Sequence, residues 1–322
     1  MDYTNIKGGN MKAAQISDYG DSSQININEV VKPELKDSQV LVEVHASSLN
    51  PFDSMVRSGY LKDAVPLELP FTLGGDIAGI VVEVGADAKN MALGDKVYGQ
   101  ANVVAGNSGA LAEFSATSSE QIAKMPSNLD FEQAASLPLV GVSALQAIYE
   151  HLELKSGQKI LIHGGAGGIG AIAIQIAKNL GAYVAVTATG DAISFVKDLG
   201  ADEVIDYKTE NFSTIVSDYD AVFDTVGGDD FVKSYAVLKQ GGKAVSMIAP
   251  ADEAKANEYG ITALTQSTKV TTEALDKLSE LVEAGVVKPN VYKILPLSET
   301  RQAFDLRESG QASGKVVINI KE

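Results

Sequence analysis

The chain has no cysteine among its 322 residues. That absence excludes disulfides, thiolate zinc sites, iron–sulfur clusters and cysteine nucleophiles together. Apolar runs of membrane-spanning length are missing too, and the opening MDYTNIKGGN is too polar for a signal sequence, so a cytoplasmic protein that does not engage membranes is expected. Cations are scarce: 26 Lys and Arg against 42 Asp and Glu leave a formal charge of -16. Such a surface repels phosphate backbones and anionic lipids, which removes nucleic acid as a partner class and leaves solubility as the plain use of the charge. No G-x-S-x-G elbow, H-E-x-x-H pair or catalytic-triad signature occurs. His45, His151 and His163 have no ligand-like spacing, and there are no internal repeats.

The most informative stretch that is present runs from Lys159 to Gly170, KILIHGGAGGIG. A short apolar strand breaks into G-x-G-x-x-G at Gly165, Gly167 and Gly170 and continues into the helix-like AIAIQIAKNLGA, the pattern of the first β-turn-α of a dinucleotide-binding fold. Gly165 is assigned to the tight turn, Gly167 to close approach of backbone and pyrophosphate, and Gly170 to close packing of helix on strand. The backbone of Ala166, Gly167, Gly168 and Ile169 is the expected pyrophosphate cradle.

A chain of this length predicts two domains, or one inserted in another. From Met11 to about Ser136 short strands alternate with Gly, Asp, Asn and Pro punctuation (AAQI, QININEV, VLVEVHAS, IAGIVVEVG, DKVYG), which predicts a mostly β domain. From about Leu137 to about Thr272 strands alternate with amphipathic helices, the rhythm of a parallel sheet covered on both faces. Asp191 is expected to cap a helix starting at Ala192, with Gly200 ending it. A helix over Glu273 to Glu283 presents Leu275, Leu278, Leu281 and Val282 on one face. Ser298 is expected to cap a further helix, and the closing strand GKVVINI needs a sheet to join. The β domain is the obvious host, which makes the nucleotide-binding unit an insertion. The expected fold is therefore α/β: residues 1–10 a disordered leader, 11–136 the β domain, 137–272 a doubly wound parallel sheet of Rossmann type, and 273–322 a return segment completing the β domain.

The motifs SLNPFDSMVRSG (48–59), PFTLGGDIAGIVVEVG (70–85), LGDKVYG (93–99), LPLVGVSALQAI (137–148), HGGAGGIG (163–170), FDTVGG (223–228) and SGKVVINI (313–320) occur in that order. In this they resemble the medium-chain dehydrogenase/reductase superfamily and, within it, the zinc-independent quinone oxidoreductases, over nearly the whole chain from Met11. The resemblance implies that the β domain is GroES-like and that the protein is a homodimer, paired through the sheet edge around Gly260 to Val270. It places Asn50 where the zinc-dependent alcohol dehydrogenases have a zinc-binding cysteine, and Gly75 where they have a histidine. With no cysteine for a structural lobe either, neither metal site can be built. Asp76 with His45 reads as an ordinary fold contact in preference to a weak metal site.

Chemistry that needs no Lewis acid remains: hydride transfer to a quinone or an α,β-unsaturated carbonyl, which delocalises the incoming charge itself. The expected activity is an NADPH-dependent reductase of such acceptors. The alternatives are a nucleotide-binding redox sensor without rapid turnover and a zinc-free enoyl-thioester reductase. By resemblance, Asn50 is the polar contact near the nicotinamide, with a turn residue before Pro51 as an equal reading. Likewise Ser143 is placed beside the cofactor, against a plain helix N-terminal serine, and Tyr207 near a 2′-phosphate. Tyr60 is either a donor to a substrate oxygen or a packed aromatic, and Asp53 with Arg57 forms a helical pair. Thr187 and Thr189 follow the second strand where an NAD-preferring site carries an acid, so NADPH is expected over NADH. Val226, Gly227 and Ile248 at strand ends either hold the carboxamide or pack the sheet edge. Phe52, Leu61, Val65 and Leu111 are expected to line an acceptor crevice between the domains. His163 is expected to bond a neighbouring carbonyl.

Overall fold

The structure, a computed structural model, describes residues 9–321. Most of the expected leader lies outside the described residues. Its last two residues do not belong to a leader: Gly9 O accepts from Lys32 N at 3.2 Å, and Asn10 opens the first strand.

Two compact units divide the chain. One takes the residues up to Leu139, then Val270–Glu283 and those from Pro289 onward, and the other takes Val140–Lys269 with Ala284–Lys288. Strands β1 (Asn10–Ile16), β2 (Asn26–Val31), β3 (Gln39–Ser48), β4 (Phe71–Thr72), β5 (Asp76–Val84), β6 (Lys96–Gln100), β7 (Phe114–Ser118) and β8 (Ile122–Lys124) come first. Next are β9 (Lys159–His163), β10 (Tyr183–Ala188), β11 (Glu203–Asp206), β12 (Tyr219–Asp224), β13 (Leu238–Ser246) and β14 (Thr262–Thr265). Strands β15 (Val291–Pro296) and β16 (Lys315–Asn319) end the chain.

In the first unit one sheet runs β15-β16-β3-β5-β6-β8 with β7 against β3, and a small sheet runs β2-β1-β4. Strand β3 is central, so it buries Val40, Val42, Val44, Ser47 and Ser48. Strand β16 pairs antiparallel with β3, Val317 opposite Ser48, which returns the end of the chain to the domain that began it. Around this sheet Val42, Ile77, Leu111, Phe304 and Ile318 form the core. Each such side chain contributes roughly 1.5–3 kcal/mol by leaving water. The helix Thr272–Glu283 buries Leu275, Leu278 and Val282, while Leu281 is half-buried. Ser298 caps nothing. It sits inside a 3-10 turn over Leu297–Glu299, and Thr300 Oγ1 donates to Leu297 O at 2.7 Å where the helix Thr300–Glu308 begins.

The second unit is a six-stranded sheet in the order β11-β10-β9-β12-β13-β14, parallel throughout. The order reverses between β9 and β12, and such a switch point opens a crevice at the carboxyl ends of those strands. The helix Gly168–Asn179 follows β9 and buries Ala171 to Ala177. Asp191 occupies the N-cap position of the helix Ala192–Asp198 but makes no capping bond with its side chain, so its carboxylate is not consumed as the sequence suggested. Among the described residues no helix is long and apolar enough to cross a membrane.

Tyr98 of β6, fully buried, donates to Leu275 O at 2.6 Å and so seats a late helix on an early strand. Tyr98→Phe keeps the ring and removes the bond. A urea titration is expected to show a loss of ~1 kcal/mol; an unchanged midpoint would mean that the hydroxyl does not help to seat the helix.

Candidate functional site

A cavity of about 310 Å³ opens at the carboxyl ends of β9 to β12. It brings together Ala166, Gly167, Thr187, Thr189, Tyr207 and Val226 from four separate turns. The glycines work differently from their sequence assignment. The left-handed turn falls at Gly164, with φ +74. Gly165 serves by lacking a Cβ, which would run into the Val186 side chain of β10. At Gly170 a Cβ would strike the Gly164 carbonyl and Gly165 Cα, so strand and helix lie at a separation only glycine permits. Gly167 N donates to Gly164 O at 3.0 Å and is spent inside the turn. The amides of Gly168 and Ile169 open the helix Gly168–Asn179. First-turn amides have no intrahelical acceptor, and with the helix dipole they suit a diphosphate.

His163 braces this loop. Its Nε2 lies 2.8 Å from Ser234 Oγ and its Nδ1 3.3 Å from Thr187 Oγ1. Ser234 donates its proton to Asp230 O at 2.6 Å, so Nε2 carries the ring hydrogen and Nδ1 accepts from Thr187, whose oxygen receives Gly164 N at 3.2 Å. Burial pushes the imidazole below its ordinary value, against Asp224 and Asp230, which keeps the ring neutral. Two hydroxyls thus replace the expected carbonyl partner.

Sequence reasoning passed over Asp224, although it ends a strand just before two glycines. This fully buried carboxylate accepts from Val226 N (3.0 Å), Gly227 N (3.0 Å) and Ser246 Oγ (2.6 Å), and Ser246 Oγ accepts from Ile248 N at 3.1 Å. The amides of Val226, Gly227 and Ile248 are therefore committed to their own turns, and only their carbonyls remain for a carboxamide. Ile248 borders a different groove, with Tyr259 and Lys255. Ser143 lies outside the cavity and is not helix N-terminal: fully buried within the helix Pro138–Leu145, it has Oγ 2.7 Å from Thr268 Oγ1 and accepts Gln266 Nε2 on its carbonyl at 3.0 Å. The Thr189 hydroxyl bonds Asp206 and holds that carboxyl below the usual range. Tyr207 is 57% exposed.

In the β unit, Asn50 starts the helix Pro51–Ser58 and is buried. Asn50 and Asp53 form a capping box at the start of this helix, and the Asn50 carboxamide also reaches beyond it. Nδ2 donates to Asp76 Oδ2 at 2.8 Å, Oδ1 accepts from Lys315 Nζ at 2.5 Å, and the Asn50 amide donates to Asp53 Oδ2 at 2.7 Å. Asp76, fully buried, also accepts from Gln100 Nε2 (3.2 Å), Leu139 N (3.2 Å) and Ser48 Oγ (3.3 Å), with the Lys315 ammonium 3.8 Å away. Burial pushes Asp76 upward, opposed by Lys315 and by these donors. Asn50, Gln100, Leu139 and Ser48 all present donors to it, which favours the ionised form against the push of burial. Asp53 is pushed up to about 7 by burial, relieved by the Asn50 amide and worsened by the Asp76 charge. Arg57 does not pair with Asp53; it reaches Glu308 at 3.0 Å across from the helix Thr300–Glu308. Tyr60 stands 76% exposed. Leu111 is wholly in the core, and Phe52 and Leu61 pack against it, so the expected apolar lining is largely spent on the fold. Val65 is half-buried.

Asn50 Oδ1 is already held by an internal ammonium, Gly75 offers no side chain, and His45 faces Glu43 (3.5 Å) and the Phe131 ring (4.1 Å) instead of Asp76. Among the described residues no three His, Asp or Glu side chains gather as a metal cluster.

Two family descriptions match the chain: alcohol dehydrogenase GroES-like domain over residues 36–127 and zinc-binding dehydrogenase over residues 199–318. The NADPH-dependent alkenal/one oxidoreductase of Arabidopsis thaliana is 38% identical over 317 residues, covering 96% of this chain and 79% of that protein. The 2-methylene-furan-3-one reductase of Solanum lycopersicum is 37% identical over 321 residues, with the same coverage of 96% and 79%. The solved quinone oxidoreductase from Coxiella burnetii superposes with a TM-score of 0.87 at 36% identity, covering 97% of this chain and 100% of that one.

Two outcomes follow from the geometry. Because the folded-state value of Asp53 lies above the ordinary carboxylate value, its contribution to stability is complete below about pH 4 and is lost as pH rises through 7. Asp53→Asn keeps an acceptor for the Asn50 amide. It is expected to gain stability relative to the parent progressively from pH 5 to pH 8, by a few kcal/mol at most, and a pH-independent difference in denaturation midpoint would contradict this. Gly170→Ala forces the glycine loop off the helix and is expected to weaken dinucleotide binding by about tenfold or more, as calorimetry would register.

Proposed function

The chain belongs to the medium-chain dehydrogenase/reductase superfamily, in its quinone oxidoreductase group, and on that footing we propose that it reduces quinones or α,β-unsaturated carbonyls with NADPH and without zinc. The observation that carries this proposal is the loop at β9: a glycine turn braced by His163 and Thr187, ending in the open amides of a helix at the sheet's switch point.

Bound NADPH supplies a hydride, with its two electrons, from the nicotinamide C4. Gly168 and Ile169 hold the diphosphate through their amides. Thr187, Thr189 and Tyr207 border the 2′-phosphate, and β10 itself ends without an acid, although the Asp206 carboxyl bonds the Thr189 hydroxyl. The exposed Asp191 works against this preference, since its side chain is not engaged as a cap. Carbonyls of Val226 and Gly227 orient the carboxamide. Asn50 donates to the acceptor oxygen, with Tyr60 as a second donor. In an enone the hydride bonds to the β-carbon, the C=C pair shifts onto the carbonyl oxygen, and water returns a proton to the α-carbon, so atoms and electrons balance. The acceptor delocalises the charge, and the donors only stabilise it.

Strand β14 lies at the edge of the parallel sheet, with one side of its backbone unpaired in the sheet order. We assign that edge to a second copy of the chain, forming a homodimer. Light scattering is expected to give twice the chain mass, and a monomer at micromolar concentration overturns the assignment.

Loss of NADPH absorbance on adding an alkenal or a small quinone is the expected outcome, with NADPH bound about tenfold more tightly than NADH. Saturable NADPH binding without turnover across a broad acceptor panel would reduce the protein to a coenzyme binder. Tighter NADH binding would reverse the coenzyme assignment alone.

A further inference from the structure

Lys315 is the one residue of the Asn50 cluster contributed by the last strand, and it is buried with only 8% of its side chain exposed. Its ammonium spans Leu49 O (2.9 Å) and Asn50 Oδ1 (2.5 Å), with Asp76 Oδ2 at 3.8 Å. We infer that Lys315 is a positioning residue for hydride transfer: a built-in cation that, with Asp76, locks the Asn50 carboxamide and restores the donor strength of its remaining N–H toward the acceptor oxygen. This rests on the function proposed above.

The orientation of Asn50 is unambiguous. A flip would set its oxygen against the Asp76 carboxylate and its NH₂ against an ammonium, two repulsive contacts in a site without water screening. One Nδ2 hydrogen goes to Asp76, and donation to a carboxylate by itself weakens the second hydrogen of the same amide. An ammonium on Oδ1 pulls electron density the other way and restores it. The Asp53 carboxyl on the backbone amide fixes the third point of the residue. The same arrangement keeps the metal position closed, because the oxygen that a cation would need already has one. Burial pushes the Lys315 ammonium down, opposed by Asp76 and Asp53 and aided by Arg307. The donors on Asp76, and the oxygens of Leu49 and Asn50 on Lys315, favour the charged pair against that push.

The need for such a donor depends on the acceptor. Reduction of an electron-poor quinone is strongly downhill and reaches an early transition state with little charge on oxygen, whereas an alkenal develops more oxyanion character and leans more on the donor. A residue that merely supported the fold would affect both acceptors alike.

The experiment compares the parent protein, Lys315→Met and the double variant Asp76→Asn/Lys315→Met, which removes both buried charges so that neither is left unpaired. Thermal melting and NADPH binding are followed beside kcat and KM for an alkenal and for a chlorinated benzoquinone. The expected result is a drop in alkenal kcat of about 100-fold with KM and NADPH affinity little changed, and a drop in quinone kcat of less than about tenfold. Equal losses on both acceptors, no loss in a folded double variant, or failure of both variants to fold would overturn the inference while leaving parent turnover, and hence the proposed function, intact. A parent protein that oxidises NADPH with neither acceptor overturns both.

Discussion

The β unit is organised around a buried charge pair that cannot be halved. Asp76 sits at the start of β5 and Lys315 at the start of β16, and between them lies the carboxamide of Asn50 at the junction of β3 with a helix. Removing one member of such a pair typically costs about 3–5 kcal/mol, because the survivor is left charged and unsolvated. The pair therefore requires the end of the chain to be docked before the beginning is stable. That requirement explains how a domain interrupted by more than a hundred residues is held as one body: the pairing of β16 with β3 supplies the backbone register, and the ammonium supplies an electrostatic latch that no slipped register would satisfy.

The parallel-sheet unit depends on space in place of charge. Gly165 and Gly170 are compatible with their neighbours only as hydrogens, and this near-contact aims the helix Gly168–Asn179 so that its first amides face outward at the switch point. His163, Thr187 and Ser234 then fix the loop from below, with burial favouring the neutral imidazole. The turn at Val226 and Gly227 is held instead by the Asp224 carboxylate. In both places the polar atoms most easily imagined as ligand contacts are spent on shaping the pocket.

Much of this was legible from pattern. The strands alternate or run apolar where a sheet is half or fully buried, the glycine spacing marks the first β-turn-α, and GKVVINI needed a host sheet and found β3. The misses share a cause. Ser298 and Asp191 have the right residue type for a cap, but cap geometry depends on φ/ψ at the junction, which composition does not record. Arg57 has helical spacing to Asp53, yet Glu308 on a distant helix offers the better partner. Leu111 is apolar, and only the packing of β1, β4 and the segment around it determines that it faces the core.

The amino-acid sequence by itself determined the alternation of elements, the cradle for a dinucleotide and the want of thiolate ligands, because these follow from residue type at short spacing: a period, a missing Cβ, a missing sulfur. Tertiary structure alone decided that Asp76, Asn50 and Lys315 form one unit, that burial pushes the Asp53 carboxyl up, and that the turn amides of Val226, Gly227 and Ile248 are already taken. Those properties depend on distance and dielectric between residues far apart along the chain, which no local pattern encodes.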